Sequence, residues 1–125
     1  MTADFEGAFQ TMKTVFAPHA GRLFVKVDTP VNYALYSRVP SPFPQHKGHG
    51  VYFGSVQVGR AYVAFHLMPL YMNAELTATI SPALRKRMQG KTCFNFKSAP
   101  EPKLIAELER LTDAGYKSFH DKNWI

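Results

Sequence analysis

Two short apolar runs, Val51 to Val58 and Ala61 to Leu67, stand with only Gly59-Arg60 between them, and they constrain the fold more than any other stretch. Runs of this length joined by a Gly-X pair predict an antiparallel β-hairpin closed by a type II′ turn, because glycine reaches positive φ at no steric cost. Alternation puts Tyr52, Val56 and Val58 on one face of the first strand, and Val63, Phe65 and Leu67 on one face of the second. Gly54 leaves a gap in the first strand that a bulky neighbour or a bound group could approach. Pro69 ends the hairpin. Each strand has one apolar face, so the flanking chain has to supply a layer that covers it.

The flanks supply helices. From Ala3 to Phe16, the residues Phe5, Phe9, Met12 and Phe16 recur at four- and three-residue steps. That is one face of an amphipathic helix, opened by Thr2 as N-cap and closed before Pro18. Arg22 to Asp28 alternates as a half-buried strand, Thr29-Pro30 breaks it, and Asn32 to Val39 is a second strand. Pro40 to Gly50 (PSPFPQHKGHG) is a proline- and glycine-rich loop. Beyond the hairpin, Asn73 to Ile80 forms a short helical segment. Ser81-Pro82 then starts a helix that runs through Arg87 or Gln89 and stops at Gly90. Thr92 to Lys97 returns as a strand, and Ser98 to Pro102 opens a final helix with Leu104, Leu108 and Leu111 on its buried stripe. Tyr116, Phe119 and Trp124 lie in a tail that packs back on the core. This order predicts one α+β domain over residues 1–125: an antiparallel five-stranded sheet with the terminal helices on one face.

Bulk composition narrows the function classes. With 125 residues, 46% hydrophobic and 19% charged, the chain can bury a core without staples, and its ten phenylalanines make that core aromatic. Cys93 is the only cysteine, which excludes an intramolecular disulfide and fits a reducing compartment. No apolar run reaches membrane-spanning length, and MTADFEGAFQ lacks the basic start and apolar segment of a signal peptide. A cytoplasmic protein with no membrane contact, monomer or homodimer, is expected. The net charge of +6 favours anionic partners, or else serves solubility alone.

Candidate chemistry gathers in LRKRMQGKTCFNFK, Leu84 to Lys97. Arg85, Lys86, Arg87 and Lys91, with Arg38 and Arg60, could line one end of the sheet and hold an anion, with Tyr62, Tyr71 and Phe94 as a stacking surface. The bland alternative is a set of solvated charges that complement a helix dipole. Cys93 and His66 sit on predicted strands and could form a thiol–imidazole pair assisted by Lys91. Otherwise Cys93 packs as a small hydrophobe. No nucleophile motif surrounds it, so no catalytic residue is assigned. His46 and His49 are spaced HxxH in the loop, but a structural zinc needs four ligands and no second pair clusters with them. No metal and no cofactor is therefore expected. The ligand-binding set is Arg60, His66, Tyr71, Arg87, Lys91 and Cys93. No RNP-like strand signature or GxxG clamp is present, so nucleic-acid contact would rest on net charge alone.

From about Tyr62 onward the chain resembles the YdhG-like bacterial family of domains of unknown function. The residues carrying the likeness are AYVAFHLMPLY (Ala61 to Tyr71), LRKRMQGKTCFNFK, and the closing helix ahead of LTDAGY (Leu111 to Tyr116). The resemblance implies a frataxin-like fold, and one branch of the family is linked to iron handling. Frataxin-type iron binding uses acidic side chains along the first helix and first strand; this first helix offers Asp4 and Glu6. The expected function is a non-enzymatic binding domain for an anionic small molecule or protein segment. An iron-binding, metallochaperone-like role and non-specific nucleic-acid binding are the alternatives.

Overall fold

The computed structural model describes residues 4–40, 50–90 and 92–124. In chain order these form α1 (Phe5–Ala20), β1 (Phe24–Thr29), β2 (Asn32–Pro40), β3 (Gly50–Val58), β4 (Val63–Leu67), the short helices α2 (Pro69–Met72), α3 (Ala74–Ala78) and α4 (Pro82–Arg85), then β5 (Met88–Gln89), β6 (Cys93–Phe96) and α5 (Pro102–Asp121). The class is α+β, with one antiparallel six-stranded sheet in the order β1-β2-β3-β4-β6-β5. Helices α1 and α5 meet the same sheet face. Phe16 of α1 stacks on Phe65 of β4 at 4.9 Å and meets Phe53 of β3 edge-on at 6.1 Å, while Phe119 of α5 meets Phe53 at 5.6 Å. Such offset and edge contacts add to plain area burial. No helix among the described residues is long and apolar enough to cross a membrane.

α1 is capped by Asp4, whose Oδ1 accepts from Gly7 N–H at 2.9 Å; Thr2, the expected cap, lies outside the described residues. The helix also runs through Pro18 to Ala20 instead of ending before it. Proline this close to a C-terminus removes one ladder bond. The last turn is held from outside, because buried His19 faces Asp113 of α5, Nε2 to Oδ1, at 2.6 Å.

The β3–β4 turn is wider than the expected two-residue II′ turn. Pairing resumes at Val58 opposite Val63, and Gly59 N–H donates to Tyr62 carbonyl at 2.8 Å. This four-residue loop needs no positive φ at Gly59; among the described glycines Gly90 alone has one, 74°.

A bulge in β3 corrects the face assignment of Tyr52. Leu35 pairs with Gly54 but Tyr36 pairs with Tyr52, so Phe53 is the extra residue. One extra residue reverses the alternation. Phe53 enters the core, and Tyr52 lies on the opposite face from Val56, its hydroxyl 2.5 Å from Ser55 Oγ. The gap at Gly54 is filled by a neighbour: a Cβ there would lie 2.8 Å from two ring carbons of Phe16.

The largest departure concerns the stretch after Ser81. The helix ends at Arg85, and Met88–Gln89 forms a sixth strand, with Met88 opposite Phe94 and Gln89 opposite Cys93. Arg87 carbonyl accepts from Asn95 N–H at 2.8 Å, so the chain leaves the helix for the sheet. Gly90 is therefore a turn residue between strands and not a helix stop. α5 likewise extends into the expected tail and takes in Tyr116 and Phe119. It ends on Asn123 at φ 61°, with Asn123 N–H on His120 carbonyl and Trp124 N–H on Phe119 carbonyl, both at 3.0 Å. That is a Schellman closure.

Candidate functional site

The basic stretch becomes a groove because α4 is pinned at both ends. Ser81 Oγ accepts from Leu84 N–H at 3.2 Å, which caps the helix. Glu107 of α5 in turn accepts from Ser81 N–H at 2.7 Å and from Ser81 Oγ–H at 2.6 Å. At the far end, Arg85 donates from Nε to Ile80 carbonyl at 3.1 Å and from Nη2 to Thr77 carbonyl at 2.8 Å. Arg85 and Glu107 are thus committed to the fold. The next two residues, Lys86 and Arg87, are exposed and stand across from the first turn of α5.

Between them lies an open groove of about 380 Å³ lined by Ala83, Lys86, Arg87, Glu101, Lys103 and Leu104. The lining therefore holds three cationic residues and one acidic one. Among the described residues the ion pairs are Lys13 with Asp28 and Arg110 with Glu107, and none involves a charged residue of the groove. Arg87 rests its guanidinium over the Phe96 ring at 5.6 Å. Such stacking orients the fork while leaving its N–H edges able to donate.

The six expected ligand residues do not converge. Arg87 is in the groove, and Lys91 lies outside the described residues, as do His46 and His49. Arg60 is exposed in the β3–β4 loop, before Val63, whereas Cys93 pairs at His66, near the other end of β4. Tyr71, 62% exposed, lies beyond that other end, on α2. Arg38 is committed to Leu23 carbonyl at 3.2 Å. Phe94 is fully buried, so it cannot be the stacking surface expected of it.

His66 and Cys93 do come together, directly opposite each other on β4 and β6. Burial pushes the His66 imidazolium below its ordinary 6.5 and pushes the Cys93 thiol up. The thiol donates to Asn95 Oδ1 at 3.3 Å. A thiolate needs the opposite surroundings, a cation or a charged histidine that lowers its pKa. On the other side of His66 stands Ser55, fully buried and joined to Tyr52. The Tyr52 hydroxyl is pushed up to about 12, chiefly by burial, against a lowering from its hydrogen bond to Ser55. Tyr52, Ser55, His66 and Cys93 form a row of groups held neutral, able to hydrogen-bond but not activated for nucleophilic attack. Among the described residues, no three His, Cys, Asp or Glu side chains are placed to hold a metal ion.

Lys103 and Glu101 were not singled out in the sequence. The signal that could have found them was Pro100-Glu101-Pro102-Lys103, a charged helix start a few residues beyond the strand after the basic turn. No protein-family model, curated protein or solved structure matches the chain.

Proposed function

We propose that the protein is a non-enzymatic, cytoplasmic binding domain that takes an anionic group, on a small molecule or a protein segment, in the groove between α4 and α5. The observation that carries this reading is that Lys86, Arg87 and Lys103 line one groove with a single acidic residue, Glu101, and that none of these residues is in an ion pair among the described residues. A single solvent-exposed ion pair contributes only about 0.2–1 kcal/mol, so it takes several cations acting together to give useful, salt-sensitive affinity. A YdhG-like affiliation and a frataxin-like arrangement belong to the same proposal. Their support is the residue likeness from Tyr62 onward and the placing of both terminal helices on one sheet face. The neutral His66–Cys93 pair supports the non-enzymatic part.

Calorimetric titration with a panel of anionic metabolites and acidic peptides tests the site. Arg87→Ala with Lys103→Ala should weaken any hit by about tenfold, equivalent to 1.4 kcal/mol. Both residues are exposed, so thermal stability should hold. Unchanged affinity in that variant rejects the groove.

A further inference from the structure

We infer that the occupant of this groove is an acidic segment of a partner protein, bound through carboxylates spaced along its chain, and not a compact phosphate. The inference rests on the anion-binding reading of the groove and deepens it. Three features of the groove separate the two kinds of anion.

The first is the supply of backbone donors. Phosphate sites at helix starts rely on several free N–H groups converging on one anion. Here Pro102 has no N–H, and the N–H groups of Leu104 and Ile105 both donate to Glu101 carbonyl at 2.9 Å. Within the first turn of α5, that leaves only the Lys103 N–H to offer a ligand. The second feature is the placing of charge. Lys86 and Arg87 stand on the α4 side, Lys103 stands on the α5 side, and the Glu101 carboxylate shares the same lining. Glu101 repels a dianion concentrated at one point. Carboxylates distributed along a chain can meet the two cationic walls separately and pass it. The third feature is apolar. Ala83 and Leu104 complete the lining, and they give the aliphatic side chains of a peptide a surface that a bare phosphate cannot use. The net charge of +6 adds long-range attraction for an acidic partner.

The test uses a fluorescein-labelled peptide of Glu-Glu-Leu repeats, its Gln-Gln-Leu counterpart, and pyrophosphate, read by anisotropy and competition with the full chain. The Glu-Glu-Leu peptide should bind, weaken at least about tenfold in the Lys86→Ala, Arg87→Ala, Lys103→Ala variant, and resist pyrophosphate beyond the effect of matched ionic strength. Equal binding of the Gln-Gln-Leu peptide overturns carboxylate recognition. Displacement by pyrophosphate, with the same dependence on the three cations, overturns the peptide reading and leaves the anion groove standing. If neither anion binds, or the triple variant binds both unchanged, the peptide reading and the anion groove fall together.

Discussion

Gly54→Ala is the substitution that most sharply tests how the sheet is filled. Gly54 lies in the middle of the sheet, opposite Leu35 on one side and Leu67 on the other. An added Cβ would sit 2.8 Å from Cε1 and Cζ of Phe16 and 2.7 Å from His66 carbonyl oxygen. Carbon–carbon contacts are comfortable at about 3.5–4.0 Å, so Phe16 must retreat by roughly 1 Å. Phe16 is fully buried and stacked on Phe65 with the rings 8° from parallel, so the retreat disturbs a packed neighbour. The His66 carbonyl is backbone inside a ladder paired on both sides, and it cannot move alone. Overpacking of this kind costs about 1–3 kcal/mol, and with two partners the upper half of that range is expected. At about 4 °C per kcal/mol for a domain of this size, melting should fall by roughly 8–12 °C. Urea unfolding followed by circular dichroism should show a lower midpoint with an unchanged slope. Phe16→Leu placed on Gly54→Ala should recover part of the loss, a coupling of about 1 kcal/mol, while the clash with the His66 carbonyl persists. A Gly54→Ala protein within about 0.5 kcal/mol of the parent would refute the reasoning and reopen Gly54 as the wall of a ligand cavity.

Two further perturbations address the neutral row and the pinned helix. Burial holds His66 below 6.5 in the folded chain, so on acidification the unfolded chain takes up a proton that the folded chain refuses. Stability is therefore unaffected by this group above about pH 6.5 and is lost as pH falls from there through the folded value; His66→Gln should flatten that part of the stability–pH curve, and parallel curves for the two proteins would sink the idea. Ser81→Ala removes both the α4 cap and the hydroxyl donor to Glu107. A cost of about 1–2 kcal/mol is expected in urea unfolding, and a loss below about 0.5 kcal/mol would mean that α4 is held by other contacts.

How far the sequence could be read depended on what decided each element. The position of β4 was legible because its alternation reports burial directly, whereas β2 and β3, whose burial does not alternate strictly, were legible as runs rich in β-branched and aromatic residues between turn signals. The face of Tyr52 was not, since a bulge at Phe53 leaves the sequence pattern unbroken while switching the sheet face on which the neighbouring side chains fall. The helix expected to reach Arg87 or Gln89 failed for a different reason. Ser81-Pro82 is a true start, but the stop is set by a partner distant in sequence, the Asn95 N–H that takes Arg87 carbonyl into the sheet. Gly90 then suits either a helix stop or a strand turn, because both use its positive φ. The groove itself was half legible. Lys86 and Arg87 stood out as a charge run, whereas Lys103 and Glu101 join them only when α5 folds back beside α4.

The positive charge of this chain is informative only after the cations used by the fold are subtracted. Arg38 and Arg85 serve backbone carbonyls, Arg110 serves Thr79 and Glu107, and Lys13 pairs with Asp28. Arg22, Lys26, Lys97 and Lys122 lie over the rings of Tyr116, Tyr36, Tyr62 and Trp124. A chain whose cations served solubility alone would leave them scattered. Once the cations used by the fold are set aside, Arg60 and Lys117 stand apart elsewhere on the surface, whereas Lys86 and Lys103, with neither a carboxylate nor a ring partner among the described residues, and Arg87, with only a ring, are grouped. These three share one concave surface although β5 and β6 lie between Arg87 and Lys103 in the chain. Mutual repulsion of three like charges in one groove is a standing cost of the folded state, and an anion bound there removes it. Charge removal at Lys86 or Lys103 should for that reason leave the unliganded fold as stable or slightly more stable in urea unfolding, while weakening anion binding in titration. That opposite movement of stability and affinity separates a binding groove from a structural salt-bridge site, where both would fall together.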